Sequence, residues 1–445
     1  MKLFHLSDLH IGKRLNGYSL GESQRDALGQ VLGYAEAEKP DVVMICGDIY
    51  DKSLPSGEAY TMFDWFLTEL SDRCPEADIL IISGNHDSPE RLAYGASFLE
   101  RHRIHIATRV PTEPETYLMQ VTRSDEWGKV HFYLVPFFRP GQVRDLCLDT
   151  SGKEDMSRAL SDRLPEEAEQ TSESGCTEEN KAEERTRGDA DGFDELGAGK
   201  RYTEAFRALL SRETIREDER NVILAHQFFV WNGQKPETCD SETAVLTSGG
   251  LDAIDAAVLK PFDYAALGHI HGAQKVGEER FRYCGTPYKY SVSEEHHQKG
   301  ITVVEMGEKG SGLQIRRLPL VCHPEVRRLR GTLEELKFQS LEMGKENDGR
   351  GRVADYVSVT LTDEKEAYDF RERLEALFSH ILEIRIDNAR TRRRLEEEPE
   401  ASETLTLFQA FRVFYEAVRH APLTQEQEAI LTRMVEETEE EERES

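Results

Sequence analysis

Short apolar runs recur along this chain, and stretches with helical spacing of apolar residues separate them. The runs are rich in β-branched and aliphatic residues: KLFHLS, DVVMIC, DILIIS, VHFYLVPF, NVILAH and DYAALG. Between the first three, ESQRDALGQVLGYAEAEK and SGEAYTMFDWFLTELSDR place apolar residues three and four positions apart and stop at Pro40 and Pro75. Strands that alternate with crossover helices predict an α/β fold with the helices packed on a sheet.

Length and composition exclude several classes of protein. With 445 residues the chain is long enough for two or three domains. No apolar run approaches the roughly 20 residues of a membrane span, and polar residues interrupt the first apolar stretch, so we expect neither a membrane protein nor a signal peptide. The seven cysteines are scattered without a C-x-x-C pair, which argues against a disulfide framework and favours a cytoplasmic protein.

The net charge of −29 does not by itself indicate a nucleic-acid binder. Binding to phosphates normally needs an excess of Lys and Arg on the contact face. Any role with nucleic acid must therefore rest on local geometry, on metal ions or on a partner.

Composition also shifts along the chain. Between positions 150 and 200 there are 15 acidic and 7 basic residues and almost no aromatics, which predicts a disordered acidic insertion over about 150–199. After about position 320 the pattern changes to a β-α-β-like unit, a charged linker and two amphipathic segments. We expect a main domain over 1–319, a capping domain over 320–390, a linker over 391–401, a helical pair over 402–436 and an acidic tail over 437–445.

Five polar clusters stand directly after apolar runs. In α/β sheets ligands bind outside the carboxyl ends of the strands, so segments far apart in sequence can meet there. The clusters are Asp8-Leu9-His10, Gly47-Asp48, Gly84-Asn85-His86-Asp87, His226 and Gly268-His269-Ile270-His271.

The side chains in these clusters are Asp, His and Asn, without cysteine. Such donors suit Mn, Fe, Mg or Zn in mixed nitrogen and oxygen coordination. Asp8 with His10 and His269 with His271 are pairs two residues apart, which point to the same side of an extended backbone. The donors are too many for one ion, whereas two ions about 3.5 to 4 Å apart would use them all and activate water for attack on phosphorus.

This series of D-x-H, G-D, G-N-H-D, H and G-H-x-H resembles the calcineurin-like metallophosphoesterase superfamily. SDLHIGKRL, GDIYDKSLPS, ISGNHDSPERL, YTEAFRALL, AHQFF, ALGHIHGAQ and YCGTPYKYSVSEEHHQKG resemble one branch of it, the bacterial nuclease subunits that work with an ATPase partner. The likeness runs from residue 1 to about 435, apart from the acidic insertion. It implies a β-sandwich flanked by helices, with a small α+β capping domain and C-terminal helices.

The resemblance also implies roles for individual residues. One metal ion would be held by Asp8, His10, Asp48 and His271, and the second by Asp48, Asn85, His226 and His269. Asp48 would bridge the two ions. His86 would stabilise the transition state or protonate the leaving oxygen, and Asp87 would orient His86. Where archaeal and eukaryotic relatives carry a histidine, this chain has Asp51.

The function implied is hydrolysis of DNA phosphodiester bonds with two divalent ions, Mn²⁺ being expected and Mg²⁺ the alternative. The branch implies an ATP-dependent double-strand 3′-to-5′ exonuclease and a single-strand or hairpin endonuclease in replication, recombination and repair. It also implies a heterotetramer with the ATPase subunit, whose coiled coil would receive the pair 402–436. Two other hypotheses remain: a cyclic-nucleotide phosphodiesterase or protein phosphatase, and a non-catalytic scaffold.

The remaining histidines carry no such prediction. His5 lies inside the first predicted strand and is expected to be a packed residue. His296 and His297 are adjacent, and adjacent strand residues face opposite ways, so a solvated loop is expected there.

Overall fold

The computed structural model describes residues 1–113, 115–143, 195–242, 253–343, 351–364 and 369–389, with six single residues between 412 and 431. Its contacts divide the chain into two compact units, residues 1–361 with 367–385 and residues 362–366 with 386–445. The elements below belong to the first unit, apart from the last residue of the final strand.

Two six-stranded sheets form the centre of the first unit. The first sheet has the order β16-β15-β1-β4-β5-β6, and β1, β4, β5 and β6 are parallel. In chain order these strands are β1 (Lys2–Leu6), β4 (Val42–Cys46), β5 (Asp78–Ile82), β6 (Ile104–Ala107), β15 (Gly300–Met306) and β16 (Leu313–Pro319).

The second sheet has the order β13-β14-β12-β9-β8-β7, and its four central strands are parallel. In chain order the strands are β7 (Met119–Asp125), β8 (Gly128–Val135), β9 (Arg220–His226), β12 (Tyr264–Gly268), β13 (Gln274–Val276) and β14 (Glu278–Tyr283). Two short ribbons, β2 (Arg14–Leu15) with β3 (Tyr18–Ser19) and β10 (Phe229–Val230) with β11 (Ile254–Asp255), complete this part of the chain.

The two sheets pack face to face, and helices cover their outer faces. Met44 and Leu80 of the first sheet belong to one buried cluster with Phe132 and Leu224 of the second sheet. Neighbouring residues such as Val43 point the other way, into a cluster under the helices. Strands that are buried on both faces need continuous apolar runs, which is the pattern that the sequence shows. The predicted α/β class with a helix-flanked β-sandwich is confirmed.

The first two helices lie at their predicted positions, and five more are described. They are α1 (Gly21–Glu38), α2 (Gly57–Arg73), α3 (Pro89–Leu92), α4 (Ala96–Leu99), α5 (Glu195–Ser211), α6 (Leu333–Met343) and α7 (Phe370–Glu375). α1 and α2 cover the first sheet, and α5 covers the second. Ser56 caps α2, because its hydroxyl accepts a hydrogen bond from the Ala59 amide at 3.3 Å.

A third sheet lies within the predicted capping region. It has three strands, β17 (Val326–Gly331), β18 (Val353–Leu361) and β19 (Phe378–Ile386), in the order β17-β18-β19. Leu336 of α6 and Leu374 of α7 are fully buried against it in one cluster with Val357. This small α+β unit has its own core.

Several predicted segments lie outside the described residues. These are the linker 391–401, the tail 437–445, most of the pair 402–436 and the insertion up to position 194. The prediction that the insertion continues to about 199 is wrong, because α5 begins at Glu195. A helix anchored by buried residues such as Phe206 extends readily beyond them, since adding a residue costs less than starting a turn.

Two further sequence-based expectations concern cysteines and membrane spans. In the described ranges every cysteine is buried and outside any disulfide: Cys46, Cys74, Cys239, Cys284 and Cys322. Among the helices of the described residues, none combines the length and the apolar character that crossing a membrane requires.

Candidate metal centre

The predicted site residues meet at the carboxyl ends of the parallel strands. The loops after β1 and β4 are tied together, since the amides of Asp8 and His10 donate to the carbonyls of Gly47 and Asp48 at 3.0 and 2.9 Å. In the second sheet, Gly268 at the end of β12 stands in register with His226 at the end of β9. The parallel topology therefore brings clusters more than 200 residues apart into one site.

Four of the predicted ligands stand on backbone that L-residues rarely adopt. The φ angles are 53° at Asp8, 43° at His10, 50° at Asp48 and 104° at His269. Positive φ at a non-glycine residue costs free energy and persists only where the surroundings enforce it. This backbone conformation directs the four side chains away from the strand direction and towards one another.

Two glycines allow the loops to approach closely. A Cβ on Gly84 would stand 2.1 Å from Asp48 Oδ1, and a Cβ on Gly268 would stand 1.9 Å from the Cys46 carbonyl oxygen. No larger residue fits at either position without displacing backbone. The glycines in G-N-H-D and G-H-x-H therefore have a packing role beside the ligands.

Among the predicted site residues the donor atoms form three overlapping groups, each with atoms within 4.8 Å of one another, and a fourth group joins His271 to Cys239 and Glu294. The three groups are Asp8 with His10 and His271, Asp8 with Asp48 and His226, and His10 with Asp48 and His86. His10 Nε2 lies 3.1 Å from His271 Nε2, and His226 Nε2 lies 3.3 Å from Asp48 Oδ2.

Asn85 completes the set. Its Oδ1 lies 3.0 Å from His226 Nε2 and 3.0 Å from His269 Nδ1. The seven predicted ligands are thus brought together by the fold.

Hydrogen bonds fix which ring nitrogens face the centre. His226 Nδ1 lies 2.8 Å from the Cys46 carbonyl, which only accepts, so Nδ1 carries a proton and Nε2 is the nitrogen that faces the centre. The carboxylate of Asp8 accepts from the His269 amide at 3.0 Å and so fixes that loop as well.

Burial and neighbouring charge shift the pKa values strongly. Burial alone would raise the pKa of Asp48, but the imidazoles of His226 and His10 hold it well below its usual range. Burial alone would lower the pKa of His226, yet the carboxylates of Asp48 and Asp8 raise it to about 9. Burial lowers the pKa of His269 to about 3, and neighbouring His226 adds to this effect. An ionised carboxylate thus lies at the middle of the site.

His86 lies beside these donors, half-buried. Its amide donates to Asp48 Oδ1 at 2.9 Å, and its Nδ1 lies 2.9 Å from the Asp51 carbonyl oxygen. A carbonyl accepts only, so Nδ1 carries a proton and Nε2 is the atom free to exchange one. The ring centroid lies 4.9 Å from that of His10.

The contacts of Asp87 differ from the predicted orienting role. Its buried carboxylate accepts from the amides of Ile49, Tyr50 and Gly84 at 3.1, 3.0 and 2.9 Å. The hydrogen bond that orients the His86 ring comes instead from the Asp51 carbonyl. Asp87 and His86 are adjacent in a turn, where successive side chains diverge, so Asp87 ties the Gly84 loop to the β4 loop. Burial and the nearby Asp48 raise its pKa to about 6.

Several polar residues around the donors have no signal in the sequence. Ser241 and Glu242 contact His271, while Glu294 and Lys299 form a buried ion pair behind it. Glu294 lies in the segment YCGTPYKYSVSEEHHQKG, but its spacing from the ligands carries no signal. Asp51 pairs with Lys13 at 2.8 Å.

The residues present fit two divalent ions. Seven nitrogen and oxygen donors converge, and Asp48 belongs to two of the donor groups. His10 Nδ1 is buried without a hydrogen-bond partner, 3.8 Å from Asp51 Oδ1. Buried imidazoles and carboxylates in this arrangement are costly unless they coordinate metal.

The proteins that are similar to this chain include one curated relative and one solved structure. The curated relative is the SbcD component of the nuclease SbcCD from Staphylococcus epidermidis, 27% identical over 384 residues, which are 86% of this chain and 85% of the relative. The solved structure, described as a dimetal phosphatase from Danio rerio, is 13% identical, covers 72% of this chain and 99% of that one, and has a TM-score of 0.33.

Two family profiles match the chain. The profile described as "Type 5 capsule protein repressor C-terminal domain" matches residues 322–419. The profile described as "Calcineurin-like phosphoesterase" matches residues 1–273, which contain all nine predicted site residues. The chain therefore belongs to the calcineurin-like phosphoesterase family, whose members carry a site for two divalent metal ions.

Proposed function

We propose that this chain is the nuclease subunit of an SbcCD-type complex and hydrolyses phosphodiester bonds of DNA. The observation that carries the chemistry is the convergence of seven side chains with nitrogen and oxygen donors, together with His86, at the strand ends. DNA as the substrate class is supported by the similarity to a nuclease subunit over 86% of the chain.

The proposed ligand sets are those that the family resemblance implies. Asp8, His10, Asp48 and His271 would hold one ion, and Asp48, Asn85, His226 and His269 the other. Mn²⁺ is the proposed ion, because nitrogen and oxygen donors without thiolate suit Mn²⁺, and Mg²⁺ is the alternative. When bound, the pair of ions supplies Lewis-acid activation of the phosphodiester and of the attacking water.

The protein's own residues position these groups and move a proton. The low pKa of Asp48 keeps its carboxylate ionised, so that both oxygens can accept ligands. His86 would hold a proton at Nε2 and transfer it to the leaving oxygen, because the Asp51 carbonyl occupies Nδ1. Asp87 would keep the His86 loop in place through its three amide contacts.

The proposed partner is the ATPase subunit SbcC, bound through residues 402–436 beyond the capping domain of residues 320–390. The charge of −29 is consistent with binding of DNA mainly by that partner. Two copies of the chain would pair in the heterotetramer. The exposed apolar side chains proposed for this pairing are Leu54, Tyr94 and Phe98, whose exposed fractions are 69%, 89% and 65%. The loop that carries Leu54 is linked to α3 by a hydrogen bond from Arg91 to the Ser53 carbonyl.

The complex would act in the cytoplasm, in replication, recombination and repair. Its proposed activities are ATP-dependent 3′-to-5′ degradation of double-stranded DNA and endonucleolytic cleavage of single strands and hairpins. Cutting a hairpin is the sharper test of the two, since a small-molecule phosphodiesterase has no use for such a substrate.

The deciding experiment is cleavage of a labelled DNA hairpin by the purified chain in Mn²⁺, with and without SbcC and ATP. We expect Asp48→Ala and His86→Ala to lower the cleavage rate at least about a hundredfold, because general acid–base groups and shared ligands contribute this much. The matched controls are Asp72→Ala and His296→Ala, which alter exposed residues. Cleavage by the Asp48 and His86 variants at the rate of these controls would refute the proposal, as would turnover of a small phosphodiester without any cleavage of DNA.

A further inference from the structure

His271 is held at three points by residues from two distant segments. Its backbone amide donates to Glu242, and its carbonyl accepts from Lys299 Nζ at 3.1 Å. Its ring Nδ1 lies 2.8 Å from the hydroxyl oxygen of Ser241. Among the proposed ligands, His226 is fixed by a backbone carbonyl instead.

The direction of these bonds determines which nitrogen of His271 carries the proton. The Ser241 hydroxyl donates its one proton to Glu294 Oε1 at 2.8 Å. Its oxygen can then only accept from the imidazole, so Nδ1 of His271 is the protonated nitrogen. The lone pair of Nε2 is left facing His10 Nε2, 3.1 Å away.

Glu294 is itself firmly anchored. It is 0% exposed, and its Oε2 accepts from Lys299 Nζ at 2.5 Å. Lys299 Nζ also donates to the Thr286 hydroxyl at 2.6 Å, and the Tyr290 amide donates to Glu294 Oε1 at 3.2 Å. A carboxylate with this many donors has little freedom to turn away from Ser241.

We propose that Ser241 and Glu294 are positioning residues for the metal centre, which act as a carboxylate–hydroxyl–imidazole relay on His271. The relay fixes the tautomer and the ring orientation of His271, and so raises the affinity of the ion that this ligand holds. Partners of this kind behind a ligating histidine typically change metal affinity 10- to 100-fold. The inference rests on the proposed function in one respect, the assignment of His271 as a ligand.

Binding of Mn²⁺ to the full chain, measured by titration calorimetry, tests the relay without any assay of activity. We expect Ser241→Ala to weaken one of the two ions about 10- to 100-fold and to leave the other within about twofold. Ser241→Thr retains the hydroxyl and should restore most of the affinity. Glu294→Gln should weaken the same ion, and Ser241→Ala serves if the unpaired Lys299 prevents that variant from folding.

The control is Thr122→Ala, which removes a similar bond remote from the site. The Thr122 hydroxyl lies 2.9 Å from His131 Nδ1, and His131 in turn contacts Glu219. This variant should bind both ions like the wild type.

His271→Ala separates failure of the relay from failure of the proposed site. If His271→Ala loses one ion and Ser241→Ala binds both normally, the relay is wrong and the ligand assignment stands. If His271→Ala binds both ions normally, the ligand assignment and the relay are both wrong.

Discussion

Single residues at this site are held in conformations that the rest of the fold must enforce. Asp8, His10 and Asp48 have φ angles between 43° and 53°, so each contributes backbone strain. This strained backbone orients the side chains, so the donor atoms are in place before a metal ion binds. Substitutions that let these loops relax should therefore affect stability and metal binding together.

Gly84 offers the most direct test of this packing. A Cβ there would stand 2.1 Å from Asp48 Oδ1 and 2.3 Å from the Asp48 amide nitrogen, so the loop must move. We expect Gly84→Ala to lower the free energy of unfolding by about 3 kcal/mol, the upper part of the usual range for overpacking. Urea unfolding would measure the effect on stability, and Mn²⁺ titration would measure the effect on metal binding.

The matched control is Gly33→Ala in the middle of α1, where a Cβ would meet nothing within 4 Å. Because alanine restricts the unfolded chain and favours helix, the free energy of unfolding of this variant should rise by about 0.5–1 kcal/mol. A Gly84→Ala protein that equals the wild type in stability and in Mn²⁺ affinity would contradict the packing argument.

At the residue scale, the sequence predicted which residues meet at one site better than it predicted which atoms contact one another. The end of a parallel strand is a position that apolar patterning reveals, so Asp8, Asp48 and His226 could be placed at one site. Which atom faces which partner depends on packing between distant segments. The contacts of Asp87 with backbone amides, and those of Glu294 with Ser241, have no local pattern that predicts them.

At the scale of elements, β1 shows how a buried strand accommodates a polar side chain. His5 is 0% exposed between the two sheets, with Nδ1 2.9 Å from the Tyr264 hydroxyl and Nε2 3.1 Å from the Leu267 carbonyl. The carbonyl only accepts, so Nε2 carries the proton and Nδ1 accepts from Tyr264. The neutral ring is fully satisfied, as the prediction of a packed residue for His5 requires.

Stability should therefore depend on pH through His5. Burial lowers its pKa from 6.5 to about 3. Below pH 6.5 the unfolded chain binds a proton at His5 that the folded chain does not bind. The contribution of the neutral His5 ring to stability is therefore complete above pH 6.5 and is lost as the pH falls towards 3. The expected slope from this residue is about 1.4 kcal/mol per pH unit below pH 6.

Urea unfolding between about pH 7.5 and pH 5 would measure this slope. His5→Gln keeps an uncharged donor and acceptor but cannot titrate, so its stability should fall less steeply with pH than that of the wild type. Tyr264→Phe removes one hydrogen bond to His5 and retains the titrating ring, so its slope should remain steep. Parallel pH profiles for the wild type and His5→Gln would show that the buried ring is not the cause.

The apolar runs also predicted the element boundaries well, for a physical reason. Strands such as β4 and β5 are buried on both faces and are apolar throughout, apart from Asp78 at the start of β5, which makes the run and the strand coincide. The start of α5 was less predictable, because its first residues belong to the acidic, glycine-containing stretch and extend from a buried portion further along.

For the whole molecule, the central question is whether the capping sheet folds together with the β-sandwich. One buried cluster contains Leu15 of β2 and Leu20, directly after β3, with Val326, Tyr356 and Leu382 of the capping sheet. Polar contacts join the same surfaces, since the Tyr356 hydroxyl donates to the Ser19 carbonyl at 3.3 Å. A shared core of this kind couples the unfolding of its two parts.

We accordingly predict a single unfolding transition for the sandwich and the capping sheet. Fluorescence of Trp65, Trp127 and Trp231 reports on the main domain, and hydrogen exchange of amides in β18 reports on the capping sheet. The two signals should have the same midpoint in urea.

Tyr356→Ala leaves a cavity in the shared cluster and should destabilise both together by about 3 kcal/mol. Phe338→Ala, which alters a side chain that is 62% exposed on α6, should change either midpoint by no more than about 0.5 kcal/mol. Loss of protection in β18 before the tryptophan signal changes in the wild type would mean that the capping sheet is an independent folding unit.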